Sequence, residues 1–336
     1  MSIPLQNNRT AASQTLRAWA LDEDLKHTVM SNPALAAVAT RIARNYTAGD
    51  TIADALAAAR ACKSRGHTVS VEYVGESVRD PAVAAAETEV FLQLIEMIRA
   101  VGIPSTVSFD LSHLGSVIDP ALGLANARRL AAATAPLGTA LMISAEGSDR
   151  TDLILDLYEK LSTEYPHVGI TLQARLHRTR HDLARVLRYP GTVRLVKGAF
   201  LESEDVAYTR GSPELHSAYL NLAKQLIDAG HPTAIATHDH AIIEAIRARH
   251  ASDLSAGHVE FEMLLGLDPD KLDALRRDGL RTREYVVFGG EWWLYVLNRI
   301  AEKPERVYDA LIAGSHSTPL RRPAAQTANS PRTNGA

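Results

Sequence analysis

Glu284-Tyr-Val-Val-Phe-Gly-Gly-Glu-Trp-Trp-Leu-Tyr-Val-Leu-Asn-Arg-Ile-Ala-Glu302 reads as a strand, a break and a helix. Residues 285–288 form a β-like run, Gly289 and Gly290 interrupt it, and Trp292, Tyr295, Leu297 and Ile300 are apolar positions of the helix that follows. Tyr295, Asn298, Arg299 and Glu302 recur at three- and four-residue steps, which puts all four on one helical face. A core helix with a polar fringe gives the same pattern. So does a barrel enzyme, whose sites gather where strands run into loops and helices.

The same unit recurs backwards through the chain. Strand patterns cover residues 68–74, 105–109, 140–143, 169–174, 192–196, 233–236 and 258–261 before the last begins at Tyr285. Helical patterns lie between them at 81–99, 121–133, 151–161, 181–187, 215–229, 242–249 and 271–277, and an Ala-rich helical stretch occupies 10–45. Asp50-Thr51 is positioned to cap a further helix that Gly66 stops. Regular alternation implies a parallel sheet with helices outside it. Eight units over about 240 residues match a closed (β/α)8 barrel of the TIM type, an α/β fold, better than an open doubly wound sheet. The expected organisation is an N-terminal helical segment at 1–45, the barrel at 46–314 and a tail at 315–336. From Thr318 onward the chain is rich in Pro, Ala, Arg, Asn and Thr, a composition expected to be disordered.

Composition narrows the class. The chain of 336 residues is 46 % hydrophobic and 22 % charged, with a net charge of −3. That suits a globular protein and gives no basic field for nucleic acid. The single cysteine, Cys62, excludes an internal disulfide and a multi-thiolate metal site. The start lacks signal-peptide character and no run of about 18 apolar residues exists, so the expectation is a cytoplasmic chain without a transmembrane segment, at most peripheral to a membrane.

In a barrel, chemistry belongs at the carboxyl ends of the strands. Asp110 follows the second strand, Ser144 and Glu146 the third, and Gln173 and Arg175 the fourth. Lys197-Gly198-Ala199-Phe200 follows the fifth, Thr237-His238-Asp239-His240 the sixth, and Glu260 and Glu262 lie near the end of the seventh. The His-Asp-His run contains metal-ligand residue types, but His238 and His240 face opposite ways if extended and no second cluster accompanies them, so no metal site is assigned. No Gly-x-Gly-x-x-Gly or Gly-x-Ser-x-Gly is present, which removes a Rossmann dinucleotide site and an α/β-hydrolase.

Val193-Arg-Leu-Val-Lys-Gly-Ala-Phe200 resembles the Val-Arg-Leu-Val-Lys-Gly-Ala-Tyr signature of the proline dehydrogenase family. Thr237-His238-Asp239 is similar to its Thr-His-Asn, the segment from Glu260 to its Glu-Phe-Gln, and the stretch from Tyr285 to Glu302 to its closing Tyr, Tyr-x-x-Arg-Arg, Glu motif. The resemblance runs from about residue 46 to 314. It implies a (β/α)8 barrel holding FAD noncovalently, hydride transfer from a carbon next to nitrogen, and a quinone, oxygen or another electron acceptor. Carried over residue by residue, it assigns Gln173, Arg194, Lys197, Gly198, Ala199, Thr237 and His238 to the flavin. Arg194, Tyr285, Tyr295 and Arg299 become the catalytic set, with Asp110, Leu264, Asn298 and Glu302 completing the substrate site.

Asp110 stands where the family has lysine, Asn298 where it has the first arginine of the Arg-Arg pair, Ser144 where it has aspartate and Phe200 where it has tyrosine. The carboxylate-gripping trio Asp110, Asn298 and Arg299 therefore sums to 0 instead of +3. Each lost charge-assisted hydrogen bond is worth about 1.5–3 kcal/mol. The expectation is accordingly a flavin-dependent oxidoreductase acting on an amine, imino-acid or hydrazine-type donor other than free L-proline, with Asp110 binding a cationic group or pairing with Arg299. An ordinary L-proline dehydrogenase giving 1-pyrroline-5-carboxylate, and a non-catalytic flavin- or partner-binding barrel, are the alternatives.

Overall fold

A computed structural model describes residues 5–75, 77–308 and 312. Eight strands, β1 (Thr68–Tyr73), β2 (Thr106–Phe109), β3 (Leu141–Ile143), β4 (Val168–Gln173), β5 (Val193–Val196), β6 (Thr233–Ala236), β7 (Val259–Leu264) and β8 (Thr282–Phe288), close into a barrel in chain order. Every pairing is parallel, and β8 returns to β1 with Thr68 opposite Arg283 and Tyr73 opposite Phe288. The strands read as apolar runs because helices cover their outer faces while side chains fill the interior. One large core joins Val71, Val107, Ile143, Ile170, Leu195, Ile235 and Phe261 to the inward faces of the surrounding helices.

Local chemistry explains the element ends. Thr51 and Asp54 form a reciprocal capping box at the start of helix Ile52–Ser64. Helices Pro81–Val101, Pro120–Thr134 and Pro213–Asp228 each begin on a proline behind an Asp or Ser cap. Gly289 ends β8 at φ +127°, and a Cβ there would lie 2.9 Å from the Tyr73 ring, so both the backbone and the close approach require glycine.

Two differences from the sequence reading are informative. The Ala-rich stretch is three helices, Leu5–Ala20, Glu23–Ser31 and Pro33–Ala43, because Asp22 and Asn32 each cap a new start. β7 runs on to Leu264 and β8 begins at Thr282, so Glu262, Arg283 and Glu284 join Glu260 as strand residues. Their charge mimics loop, but Glu260 and Glu262 are two apart and both face the barrel interior, where arginines meet them. The expected disordered tail from Thr318 lies outside the described residues.

The first helix, Leu5–Ala20, packs on the closing helix, Trp293–Glu302. A second, smaller core holds them together around Leu16, Tyr46, Trp292, Trp293, Val296 and Ile300. Ser13 donates to the Ala301 carbonyl at 2.8 Å, and the Trp293 indole donates to the Trp19 carbonyl at 3.0 Å. The closing helix is thus buttressed from outside the barrel.

Candidate active site

Two polar layers cross the barrel interior. In the lower one, Arg283 of β8 pairs with Glu260 of β7 at 2.7 Å and donates to the Val69 carbonyl and the Thr106 hydroxyl. In the upper one, Arg194 of β5 meets Glu262 of β7 through two hydrogen bonds, Nε to Oε2 at 2.8 Å and Nη2 to Oε1 at 3.0 Å. Ser70 and Ser108 accept from the same guanidinium at 3.0 and 3.1 Å. Both members of the pair are buried, a geometry that locks the fork-shaped cation in one orientation. The Tyr285 ring lies against it, 4.6 Å from ring centre to guanidinium carbon.

The β5 loop stands at one side of this mouth. Lys197 reaches Asp239 at 2.5 Å, and Asp239 also caps helix His240–Arg249 through its other oxygen. Burial alone would raise the Asp239 carboxyl, but the Lys197 cation and the capping N–H groups bring it below the ordinary carboxylate range. Gly198 has φ +112°, and an added Cβ would stand 3.0 Å from Gln173 Oε1. Arg175 and Arg210 hold the loop by its carbonyls: Arg175 donates to Phe200, Glu202 and Tyr208, and Arg210 to Gly198, Ala199 and Phe200. Burial, then the neighbouring Arg17 and Arg175, holds Arg210 down to about 10.

Thr237-His238-Asp239-His240 divides its tasks. The Thr237 hydroxyl accepts from the Asp239 N–H at 3.1 Å, and His240 meets Asp268 at 2.6 Å. His238 Nε2 accepts from the Leu264 N–H at 3.1 Å, and burial pushes its pKa down to about 4, so the ring is neutral at physiological pH.

The closing helix supplies the opposite wall. Arg299 pairs with Glu302 at 2.9 Å, lies 5.6 Å from the Tyr295 ring centre, and has a buried Nε without a partner. Burial raises the Tyr295 hydroxyl, which therefore stays protonated. Asn298 accepts from Arg17 Nη1 of the first helix at 3.2 Å. Asp110 keeps different company: Glu72, Glu146 and Arg150. Desolvation first, then the charges of Glu72 and Glu146, pushes its carboxyl well above the ordinary range. Glu72 accepts from Ser144 at 3.0 Å and is also raised, chiefly by desolvation. Glu146 accepts from the Ser112 N–H and from Arg150.

The sequence-assigned residues therefore fall into a group on and after β4 to β6 that includes Arg194, and a group on β8 and the closing helix, with Leu264 ending β7 and Asp110 apart after β2. Arg17, Arg210 and Glu72 were missed. Arg210 sits in a loop without a motif of its own, and Arg17 belongs to an amphipathic helix far from every strand, so neither carries a local signal.

The proline dehydrogenase family profile matches residues 55–298. Proline dehydrogenase of Deinococcus radiodurans is 34 % identical over 269 residues, 78 % of this chain and 86 % of that protein. Proline dehydrogenase 1 of Bacillus subtilis is 31 % identical over 274 residues, 80 % and 89 % of the two chains. Proline utilization A of Bdellovibrio bacteriovorus, solved after inactivation by N-propargylglycine, superposes with a TM-score of 0.72 at 17 % identity, over 90 % of this chain and 41 % of its own, a likeness of fold. The closed barrel with charged groups at its carboxyl mouth is that of a barrel oxidoreductase. The chain belongs to the proline dehydrogenase family, flavin-dependent oxidoreductases that act on a CH–NH donor. No helix among the described residues is long and apolar enough to cross a membrane.

These relatives correct the expectation of a donor other than free L-proline, since chains 31–34 % identical over most of their length are proline dehydrogenases. Two features of the structure bear on the charge sum behind that expectation. It counted Asp110 as an anion, whereas the carboxyl is displaced toward its neutral form. It counted Asn298 as a bare loss, whereas a guanidinium from the first helix is bonded to it. Asp110 does not pair with Arg299, which has Glu302 instead.

Proposed function

We propose that the chain is an FAD-dependent L-proline dehydrogenase giving 1-pyrroline-5-carboxylate. The observation that carries this reading is Arg194, fixed by Glu262, Ser70 and Ser108 against Tyr285 at the mouth of a family barrel.

The donor set fits a flavin dinucleotide. Lys197 would offer a cation to the diphosphate, Gly198 would leave its backbone uncovered, and Gln173, Ala199, Thr237 and neutral His238 would offer uncharged contacts, while Arg175 and Arg210 hold the loop in place through its carbonyls. When bound, the flavin supplies the two-electron acceptor. Arg194 places fixed positive charge in a preorganised, desolvated setting, where it favours negative charge developing on a neighbouring group. Tyr285, Tyr295 and Leu264 enclose the proline ring, Arg299 offers its unpartnered Nε–H to the carboxylate, and Glu302 holds that guanidinium in place. The chemistry removes a hydride from the ring carbon beside nitrogen and the N–H proton to solvent, leaving a C=N bond. Positioning provides most of the rate, because the neutral amine needs little help from an acid or base.

Cofactor released by denaturing the holoprotein should chromatograph as FAD, and turnover of L-proline should form one imine per two electrons delivered to an acceptor dye. Release of no flavin after reconstitution with FAD would contradict the cofactor; flavin without imine would contradict the substrate.

A further inference from the structure

Arg17, Arg210 and Arg299 lie close enough to influence one another and Glu302 counters all three, while Arg175 beside them is countered by Glu202 and Glu204. Three cations gathered around one anion repel unless a further anion joins them. Arg175 and Arg210 have their N–H groups on the β5-loop carbonyls. Arg17 and Arg299 do not. Arg299 has an unpartnered buried Nε, and Arg17 is hydrogen-bonded to Asn298, a neutral acceptor that orients a guanidinium without cancelling its charge. Consecutive helix positions project about 100° apart, yet the charges of Arg299 and Glu302 both act on Arg17, so the two cations are neighbours. Ser13 and Trp293 fix the first helix there. Removal from water lowers the Arg17 pKa, with Arg299 and Arg175 adding to the effect and Glu302 opposing it.

We propose that Arg17, held by Asn298, binds the substrate carboxylate together with Arg299. The first helix, outside the barrel, thereby contributes to the substrate site, and Asn298 is a positioning residue. This rests on the L-proline dehydrogenase reading.

The test uses the FAD-loaded full chain. Arg17→Gln, which keeps hydrogen-bonding capacity, should raise KM for L-proline by about ten- to hundredfold, the equivalent of one charge-assisted hydrogen bond. The dissociation constant of cyclopentanecarboxylate, which offers the carboxylate without an oxidisable nitrogen and is read from the flavin spectrum, should rise by a similar factor. L-prolinamide, which lacks the charge, should change by less than about threefold, and flavin content should stay level. Arg17→Lys should recover part of the loss, and Asn298→Ala should show the same pattern more weakly. Arg9→Ala, on the same helix as Arg17, breaks a surface pair with Glu305 and serves as the control for helix docking. Equal losses for L-proline and L-prolinamide, loss of flavin, or an unchanged KM would each overturn the proposal. If the wild type neither oxidises L-proline nor binds cyclopentanecarboxylate, the proposed function falls with it. If the wild type does both and Arg17→Gln does so equally well, the Arg17 inference alone falls.

Discussion

Arg194 is bonded to one carboxylate and two hydroxyls, all within the barrel and all from different strands. Its motif made it visible in the sequence, and Glu262 was singled out near the end of the seventh strand, but Ser70 and Ser108 look like ordinary strand residues and carried no signal. Arg194→Met should leave Glu262 buried without a partner, which costs about 3–5 kcal/mol, and urea unfolding should show it. Arg194→Met with Glu262→Leu should regain most of that stability while remaining inactive. A single variant as stable as wild type would show that the pair contributes little. His238 adds a pH signature. Its folded pKa of about 4 lies below the ordinary histidine value, so its contribution to stability is complete above about pH 6.5 and is lost as pH falls through 4. That contribution is at most about 3 kcal/mol. His238→Gln should flatten the stability profile between pH 6.5 and 4; a profile as steep as wild type would move the effect to other groups.

At the scale of elements, strand and helix order was legible along nearly the whole chain, since apolar runs and caps are local signals. The ends of β7 and β8 were not, because buried ion pairs carry loop-like composition. Nor was the docking of the first helix on the closing helix, which depends on residues at opposite ends of the chain. Trp293 anchors that contact by packing and by its bond to the Trp19 carbonyl. Trp293→Ala should cost about 3–5 kcal/mol, and hydrogen exchange should locate the loss in helix Leu5–Ala20 and the closing helix. Faster exchange confined to β1 to β4 would contradict that assignment.

For the molecule as a whole, the eight-fold alternation and the β5 signature identified barrel and family together. Substrate was misjudged because net charge at a site belongs to the assembled structure. Asp110 is one of a crowded acidic group, and the cation beside Asn298 comes from a helix that the strand motifs do not include. On the proposed function, this barrel oxidises free L-proline. The most direct measurement is anaerobic mixing of L-proline with the FAD-loaded protein while the visible flavin bands are followed. The account predicts bleaching at a saturable rate, with one 1-pyrroline-5-carboxylate formed per flavin reduced. Flavin that stays oxidised with L-proline, yet bleaches with another CH–NH donor, would contradict it.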